Sequence, residues 1–134
     1  MKPMLWPDMV ASCGSVDTGP DLINIYTLPS YLDPDANLYN QYHSGQWGSF
    51  NSCSFYKNED VDAKLDKARV IGDMDQRLAL YADAQRQIIA DQPSVWMYTE
   101  DSLVGFNDCV KGYLYSPMYP ITVLFQDLWM DGCN

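Results

Sequence analysis

Histidine and basic residues are scarce in this chain of 134 residues. It contains one histidine, His43, and 8 Lys+Arg against 18 Asp+Glu, which gives a formal net charge of -10. A single imidazole excludes every site that needs two histidines. Because phosphate binding needs a positive surface, the charge balance argues against nucleic acid and against an anionic membrane surface as partners.

Motifs for phosphate binding, zinc binding and membrane spanning are also absent from the sequence. Neither G-x-G-x-x-G nor G-x-x-x-x-G-K occurs, and no apolar run approaches the length of a membrane span. The cysteines at positions 13, 53, 109 and 133 lack the close spacing of a zinc knuckle or a redox dithiol. In an oxidising compartment they can form up to two disulfides, with the pairing left open. We therefore expect no metal site and no cofactor.

The composition itself is that of a globular protein. Hydrophobic residues make up 47% and charged residues 19%, and aromatics reach 13% with 10 Tyr and 4 Trp. The length suits one domain or one piece of a larger one.

Three helices are predicted from capping residues and apolar spacing. Asp33 before Pro34 predicts the start of a short helix with Leu38 and Tyr42 on one face. Asn58 can cap a second helix that runs from Glu59 to about Ile71, and Asp73 a third that runs to about Asp91, before Pro93. The predicted core faces of these two longer helices consist of Val61, Leu65, Ala68, Leu80, Tyr81, Ala84 and Ile88.

Four apolar or alternating segments are typical of β-strands. They are Leu22 to Thr27, Ser94 to Thr99, Ser102 to Phe106 and Ile121 to Met130. Helices mixed with strands predict an α/β or α+β class.

The carboxylates of Asp33 and Asp35 flank a proline and allow two interpretations. Paired carboxylates can act as general acid and base in a small hydrolase. The same arrangement is common at helix starts, where it supplies a cap and a negative charge in the first turn. We favour the structural interpretation.

Aromatic side chains cluster in sequence in the loops around the first predicted helix, the short one that starts after Asp33. In α/β sheets, the loops after the carboxyl ends of strands bind ligands, and stacked rings with hydroxyl and amide groups suit an organic solute. Ordinary core packing is the alternative for any single ring. The candidate ligand-binding residues are Tyr26, Ser30, Tyr31 and Trp47. No catalytic residue is assigned.

From Asp33 onward, a set of spaced residues resembles the C-terminal portion of the extracellular solute-binding proteins of family 5, the peptide-binding receptors of ABC importers. The spaced pattern Y-x-N-x-x-V-D, A-R, D, R, L-Y, Q, D-x-P is specific in combination. The residues that carry it are Asp33-Pro34-Asp35, Tyr39 to Ser44, Phe55 to Asp62, Leu65, Ala68, Arg69, Asp73, Arg77, Leu80-Tyr81, Gln85, Ile88-Ile89, Asp91, Pro93, Val95-Trp96 and Val110 to Tyr113.

The resemblance implies a non-enzymatic protein of two lobes that traps a solute by hinge closure. Such proteins are several times longer than this chain, so it is expected to be a fragment. In fold class it would be part of a lobe of the α/β periplasmic-binding-protein type II kind, with helices packed on a mixed sheet. Residues 1–106 would end the second large lobe. Residues 107–134 would contain the hinge crossing and a return strand of the first lobe.

The resemblance also implies a periplasmic or extracellular location, an oligopeptide-like solute and ABC permease subunits as partners. Many peptide-binding members carry an acidic residue, which pairs with the peptide's amino group, where this chain has Ser30. Serine carries no charge, so a sugar, an opine-like compound or a modified peptide also stays open as the solute. A piece of a lobe should expose apolar faces and sheet edges and can self-associate through them.

Two alternatives to the receptor hypothesis stay open at this stage. One is a small acidic hydrolase that uses Asp33 and Asp35. The other is a stand-alone interaction domain whose likeness to the receptors is historical only.

Overall fold

The computed structural model describes residues 3–99, 101–117 and 123–132. The chain forms two compact units that divide between residues 95 and 96. The first unit contains the helices α1 (Trp6–Ser12), α2 (Pro34–Tyr42), α3 (Glu59–Val70) and α4 (Met74–Asp91), with short 3-10 helices at Ser44–Gln46 and Phe50–Ser52. In the second unit, the strands β1 (Val110–Lys111) and β2 (Trp129–Met130) flank a 3-10 helix at Phe125–Asp127.

The three predicted helix starts are confirmed together with their caps. The Asp33 carboxylate accepts from the backbone N–H of Asp35 at 2.9 Å. The Asn58 side chain accepts from two N–H groups at the start of α3, and Asp73 accepts from the N–H of Gln76 at 2.9 Å. Each cap satisfies donors that have no partner inside the helix.

The core of the first unit lies between α2, α3 and α4. The predicted apolar faces of the two longer helices are confirmed, with Leu80 partly buried and the other members at most 2% exposed. Tyr42 of α2 closes the cluster, and Leu38, Tyr39 and Tyr56 pack at its margin. The spacing of three and four residues explains this result, because it puts the apolar side chains of each helix on one stripe.

A disulfide joins Cys13, at the end of α1, to Cys53, just after the second 3-10 helix. Both cysteines are buried, and the ring of Trp6 packs edge-on against Phe50 next to them. Cys109 is disulfide-bonded as well, so no described cysteine is a free thiol. Because the bridge spans a sequence separation of 40 residues, it closes a loop that includes all of α2.

Most of the strand predictions are wrong for the described residues. The segments 22–27, 94–99 and 102–106 pair with no strand in the described part of the chain. Of the fourth segment, Ile121 and Thr122 lie outside the described residues, a 3-10 turn occupies Phe125–Asp127, and only Trp129–Met130 is a strand. Strand-like composition becomes a strand only when a neighbour binds the backbone N–H and C=O groups. The mixed sheet of the expected lobe stays a prediction.

The second unit is organised by an antiparallel pair, in which Val110 faces Met130 and Lys111 faces Trp129. Gly112 follows β1 with a φ of +85°, and a Cβ there would clash with the carbonyl oxygen of Asp127. Only glycine fits both conditions. The predicted lobe boundary between residues 106 and 107 stays a prediction. No helix in the described ranges is long and apolar enough to cross a membrane.

Truncation of the α3 side chain at the centre of the core should destabilise the first unit. We expect Leu65→Ala to lower the free energy of unfolding by about 3 kcal/mol, because Leu65 is fully buried and the vacated volume is only partly refilled. Val70→Ala on the same helix is the control, since Val70 is 83% exposed and its loss should change stability by less than about 0.5 kcal/mol. Equal effects in urea unfolding would contradict the assigned core.

Removal of the Cys13–Cys53 bridge should also destabilise the helical unit. The chain-entropy relation gives about 4 kcal/mol for a loop of this length. The double variant Cys13→Ser, Cys53→Ser tests it by far-UV circular dichroism, which follows α1 to α4. The control adds reductant to this variant. If the helical signal of the double variant melts at the same denaturant concentration with and without reductant, the loss of stability comes from the Cys13–Cys53 bridge. A double variant as stable as the oxidised parent would refute the expectation.

Candidate functional site

Four charged side chains, Asp33, Asp35, Arg69 and Arg77, meet at the N-terminus of α2. Asp33 caps the helix, Pro34 occupies its first position, and Asp35 follows in the first turn. Although its side chain is charged, Asp35 is only 5% exposed. A buried charge is tolerated only with partners, so the contacts of these carboxylates decide what the group can do.

Arg77, in the first turn of α4, binds the Asp33 carboxylate with both Nη atoms of its guanidinium. Nη1 donates to Oδ2 at 2.6 Å and Nη2 to Oδ1 at 2.8 Å. Nε donates to the carbonyl oxygen of Ala68 at 3.0 Å, and Nη2 also donates to the Tyr81 hydroxyl at 3.1 Å. This bidentate pair, which we call the Asp33–Arg77 clamp, therefore ties the start of α2 to α3 and α4.

The clamp shifts the pKa of both partners toward their charged forms. The hydrogen bonds from Arg77 hold the pKa of Asp33 below its ordinary value, and burial opposes them only in part. The Asp33 carboxylate in turn raises the pKa of Arg77. A carboxyl with a depressed pKa stays ionised at neutral pH and cannot serve as a general acid there.

Asp35 is held by three further side chains. Tyr31 donates its hydroxyl to Oδ2 at 2.5 Å, Tyr81 donates to Oδ1 at 3.3 Å, and Nε of Arg69 lies 3.2 Å from Oδ1. The hydrogen bond to Asp35, followed by burial, raises the pKa of Tyr31 to about 12. Tyr31 therefore stays protonated, and its one hydroxyl proton is already used.

Arg69 begins a row of stacked groups on the surface of α2 and α3. Its guanidinium carbon lies 3.9 Å from the centre of the Tyr39 ring, and Tyr39 stacks on His43 with ring centres 4.2 Å apart. His43 accepts a backbone hydrogen bond at Nδ1 from Gly45, and its Nε2 lies 3.3 Å from Asp66. Arg69 has 45% of its side chain exposed, against 17% for Arg77.

The four predicted ligand-binding residues do not lie at one end of α2. Ser30 and Tyr31 precede the helix, whereas Trp47 follows it, and a helix of 9 residues rises roughly 13 Å. The Trp47 ring packs edge-on against Phe55 and donates to the Tyr56 carbonyl at 2.8 Å. Tyr26 is 55% exposed in an extended segment. Of the four, Tyr31 is the one in contact with the charged group, and a binding role for all four stays a prediction.

Several residues of the spaced sequence pattern have structural contacts. Asp91, at the end of α4, accepts from Tyr56 at 2.5 Å and from Asn58 at 2.7 Å, which ties it to the start of α3. The hydrogen bond from Tyr56 is the main cause of the lowered pKa of Asp91. Asp62 accepts from the backbone and the hydroxyl of Ser44. The pattern thus describes how α2, α3 and α4 are joined.

Sequence reasoning missed Arg69 and Arg77 as site residues, although both belong to the spaced pattern. The signal was present, because the chain has three arginines and two of them flank the loop between the amphipathic helices α3 and α4. Their pairing with a D-P-D helix start 34 to 44 residues earlier depends on the packing of three helices. In the described residues, no group of three His, Cys, Asp or Glu side chains could hold a metal ion.

Known proteins resemble the chain over part of its length. It is 31% identical over 90 residues to the "Probable D,D-dipeptide-binding periplasmic protein DdpA" of Escherichia coli (strain K12). This alignment covers 67% of this chain and 17% of that protein. It is 40% identical over 82 residues to "Protein XP55" of Streptomyces lividans, which covers 60% of this chain and 15% of that protein. The chain therefore spans about a sixth of the length of these curated relatives. No family model matches it, and no solved structure matches it significantly.

The Asp33–Arg77 clamp should be measurable as a coupling energy. In a double-mutant cycle of Asp33→Asn and Arg77→Gln at pH 7, we expect a coupling of about 2 kcal/mol, the usual size for hydrogen bonds between charged groups. Asparagine caps helices as well as aspartate does, so Asp33→Asn removes the charge and keeps the cap. Additive effects of the two substitutions in urea unfolding would contradict the clamp.

The same cycle should depend on pH in one direction. Because the pKa of Asp33 is lower in the folded chain, the clamp's contribution is present above the unfolded pKa and is lost as the pH falls through the folded pKa. We expect the coupling to persist at every pH above the ordinary pKa of aspartate and to shrink only at pH values below it. The Asp33→Asn variant lacks this titration and is the control.

Proposed function

We propose that the chain is the C-terminal part of the substrate-binding receptor of an ABC importer, of the peptide-binding class (family 5). In this proposal the receptor captures an oligopeptide-like solute in a cleft of two lobes by hinge closure and catalyses no reaction. The observation that carries the proposal is the partial identity of 31% to a protein whose name describes D,D-dipeptide binding in the periplasm.

The contacts of the spaced residues support this proposal. Tyr56, Asn58 and Asp91 form one interhelical group, and Asp33 and Arg77 form another. Residues that join helices are retained in related folds because their loss leaves a polar partner unsatisfied. A pattern of this kind is expected to mark a shared fold rather than a shared solute.

The exposed apolar surface supports the view that the chain is a fragment of a lobe. Leu103 is 93% exposed and Val95 83%, and both belong to the segments that have the composition of buried strands but no strand partner in the described residues. Large exposed apolar patches in soluble proteins commonly mark a surface that another polypeptide covers. In the proposal, the remaining length of the receptor supplies those partners.

The proposed location is the periplasm or the outer face of a cell membrane. The Cys13–Cys53 bridge fits that location, because disulfides persist in oxidising compartments. The proposed partners are the solute and the permease subunits of the importer. The net charge of -10 gives no reason to expect nucleic acid as a partner.

D,D-dipeptides are the first solute class that we propose, because the name of the Escherichia coli relative describes D,D-dipeptide binding. Tyr26, Ser30, Tyr31 and Trp47 stay the proposed wall residues. Tyr31 donates its hydroxyl proton to Asp35, so a solute would meet the ring and an accepting oxygen there. Ser30 is exposed and uncharged, which makes recognition of a solute amino group by this residue unfavourable.

Neither rival hypothesis is favoured by a specific contact. A hydrolase would need one carboxyl with a raised pKa, whereas the pKa of Asp33 is lowered and Asp35 is enclosed by Tyr31, Tyr81 and Arg69. A stand-alone domain would be expected to cover residues such as Leu103. Turnover of a glycoside panel that Asp33→Asn abolishes would reinstate the hydrolase.

The proposal predicts thermal stabilisation of the longer receptor by its solute. Binding to the folded state at 100 times the dissociation constant adds about 2.7 kcal/mol, which raises Tm. We would measure Tm of the polypeptide that includes this chain and the several hundred residues before it. The panel contains D-Ala-D-Ala, L-Ala-L-Ala, longer peptides and sugars.

The outcomes of this experiment separate the solute classes. A rise in Tm with D-Ala-D-Ala alone would assign the dipeptide, and a rise with a sugar alone would keep the receptor and change the solute. Absence of receptor-like sequence upstream, or of any stabilising compound in the panel, would contradict the proposal. Arg86→Gln, on the exposed side of α4, is the control variant and should respond like the parent, since Arg86 is 72% exposed.

A further inference from the structure

The two arginines beside the D-P-D helix start differ in how their donors are used. Arg77 directs Nε at a backbone carbonyl, both Nη atoms at Asp33, and Nη2 also at the Tyr81 hydroxyl. With 17% of its side chain exposed, Arg77 has little room for another partner. It is a structural residue in this arrangement.

Arg69 is only partly used by the protein. Its Nε lies 3.2 Å from Asp35, and its guanidinium carbon lies 3.9 Å above the centre of the Tyr39 ring. A guanidinium has five N–H donors, so several on the Nη atoms remain. Apart from Asp35, no described carboxylate pairs with Arg69, and 45% of its side chain is exposed.

Its surroundings hold Arg69 in a charged and oriented state. Burial works to lower the pKa of Arg69, but the Asp35 carboxylate and Tyr39 outweigh it, and the pKa is raised. Contact with a carboxylate on one edge and an aromatic ring on one face restricts the side chain before any ligand arrives. Such preorganisation reduces the entropy lost on binding.

Tyr31 lies within electrostatic reach of Arg69. The Arg69 charge acts to lower the pKa of Tyr31, against the larger opposing effect of Asp35. Tyr31 and Arg69 also contact the two oxygens of the same carboxylate, Asp35, and Tyr39 lies against the Arg69 guanidinium. We call this group the Arg69 surface and define it by Tyr31, Tyr39 and Arg69.

We propose that the Arg69 surface binds the carboxylate of a small organic ligand, with the Nη edge of Arg69 as the recognition group and Tyr31 and Tyr39 beside it. As the carboxyl end of a short peptide, this ligand would be the solute of the receptor, and that part of the inference rests on the proposed function. The charges of Asp33, Asp35, Arg69 and Arg77 cancel in the unliganded chain. A ligand carboxylate therefore shares Arg69 with Asp35, one on each edge of the guanidinium.

The test is an NMR titration of the chain with N-acetyl-Ala-Ala, its C-terminal amide and acetate. The arginine Nε–H signals report the sites separately, since the chain has three arginines. We expect the acid to shift the Arg69 signal saturably, with a midpoint at least tenfold lower than at Arg86, and the amide to leave it unchanged. Arg86 is the internal control for unspecific pairing, because it is exposed and pairs with Asp83.

The titration with acetate distinguishes a site for any small carboxylate from a site for the carboxyl end of a peptide. Acetate as effective as the dipeptide acid would support a site for any small carboxylate, and a weaker effect would support a site for peptide ends. Equal response to acid and amide, equal midpoints at Arg69 and Arg86, or no shift at Arg69 would overturn the proposal.

Two variants add a readout that a purely structural role would not change. Arg69→Gln should abolish the shifts of Tyr31 and Tyr39 that the acid causes. Arg69→Lys keeps a positive charge beside Asp35 but has no second N–H edge, so we expect at least a tenfold loss of acid binding with little change in Tm. Acid binding at the parent level in Arg69→Lys would contradict a role of the Nη edge.

The two proposals fail in different ways. If the longer receptor binds none of the tested solutes while the chain binds the acid at Arg69, the receptor proposal fails and the carboxylate site stands. If the receptor binds a dipeptide acid and its amide equally well, the receptor stands and the assignment of Arg69 is overturned.

Discussion

The bidentate contact between Asp33 and Arg77 is the constraint on which the rest of the first unit depends. Asp33 caps α2, and Arg77 lies in the first turn of α4. The guanidinium of Arg77 also donates to a backbone carbonyl of α3. One ion pair therefore fixes the mutual position of three helix ends. Helix ends carry unsatisfied backbone groups, so a charged pair at their junction serves as cap and as crosslink.

The clamp also positions the second carboxylate, that of Asp35. With α2 fixed against α4, Asp35 is brought under Tyr81 and against Arg69, and Tyr31 folds back onto it. Two ionised carboxylates at this junction are compensated by two guanidiniums. The hydrogen bonds from Arg77 keep Asp33 deprotonated, and Asp35 is enclosed by Tyr31, Tyr81 and Arg69, which suits recognition of a ligand better than proton transfer.

The contrast between the helices and the strand-like segments follows from how much apolar surface each can bury. The helices of the first unit bury full stripes on one another, as Val61, Leu65 and Ile88 show. The strand-like segments that follow α4 expose Val95 and Leu103 instead. A helix forms its backbone hydrogen bonds within itself, whereas a strand forms them with a neighbouring strand. A short chain can therefore complete its helices while its strand-like segments have no pairing partner.

Local signals in the sequence determined the three capped helices and their core faces. Asn58, Asp73 and the apolar spacing act within a few residues, and the structure confirms them. The strand predictions failed because pairing partners are not a local property. Only the tertiary structure decided the clamp, the Cys13–Cys53 pairing and the contrast between Arg69 and Arg77, since each depends on contacts between residues 34 to 44 positions apart. Spacing along a chain reports neighbours on one helix, and contacts between helices depend on how those helices pack.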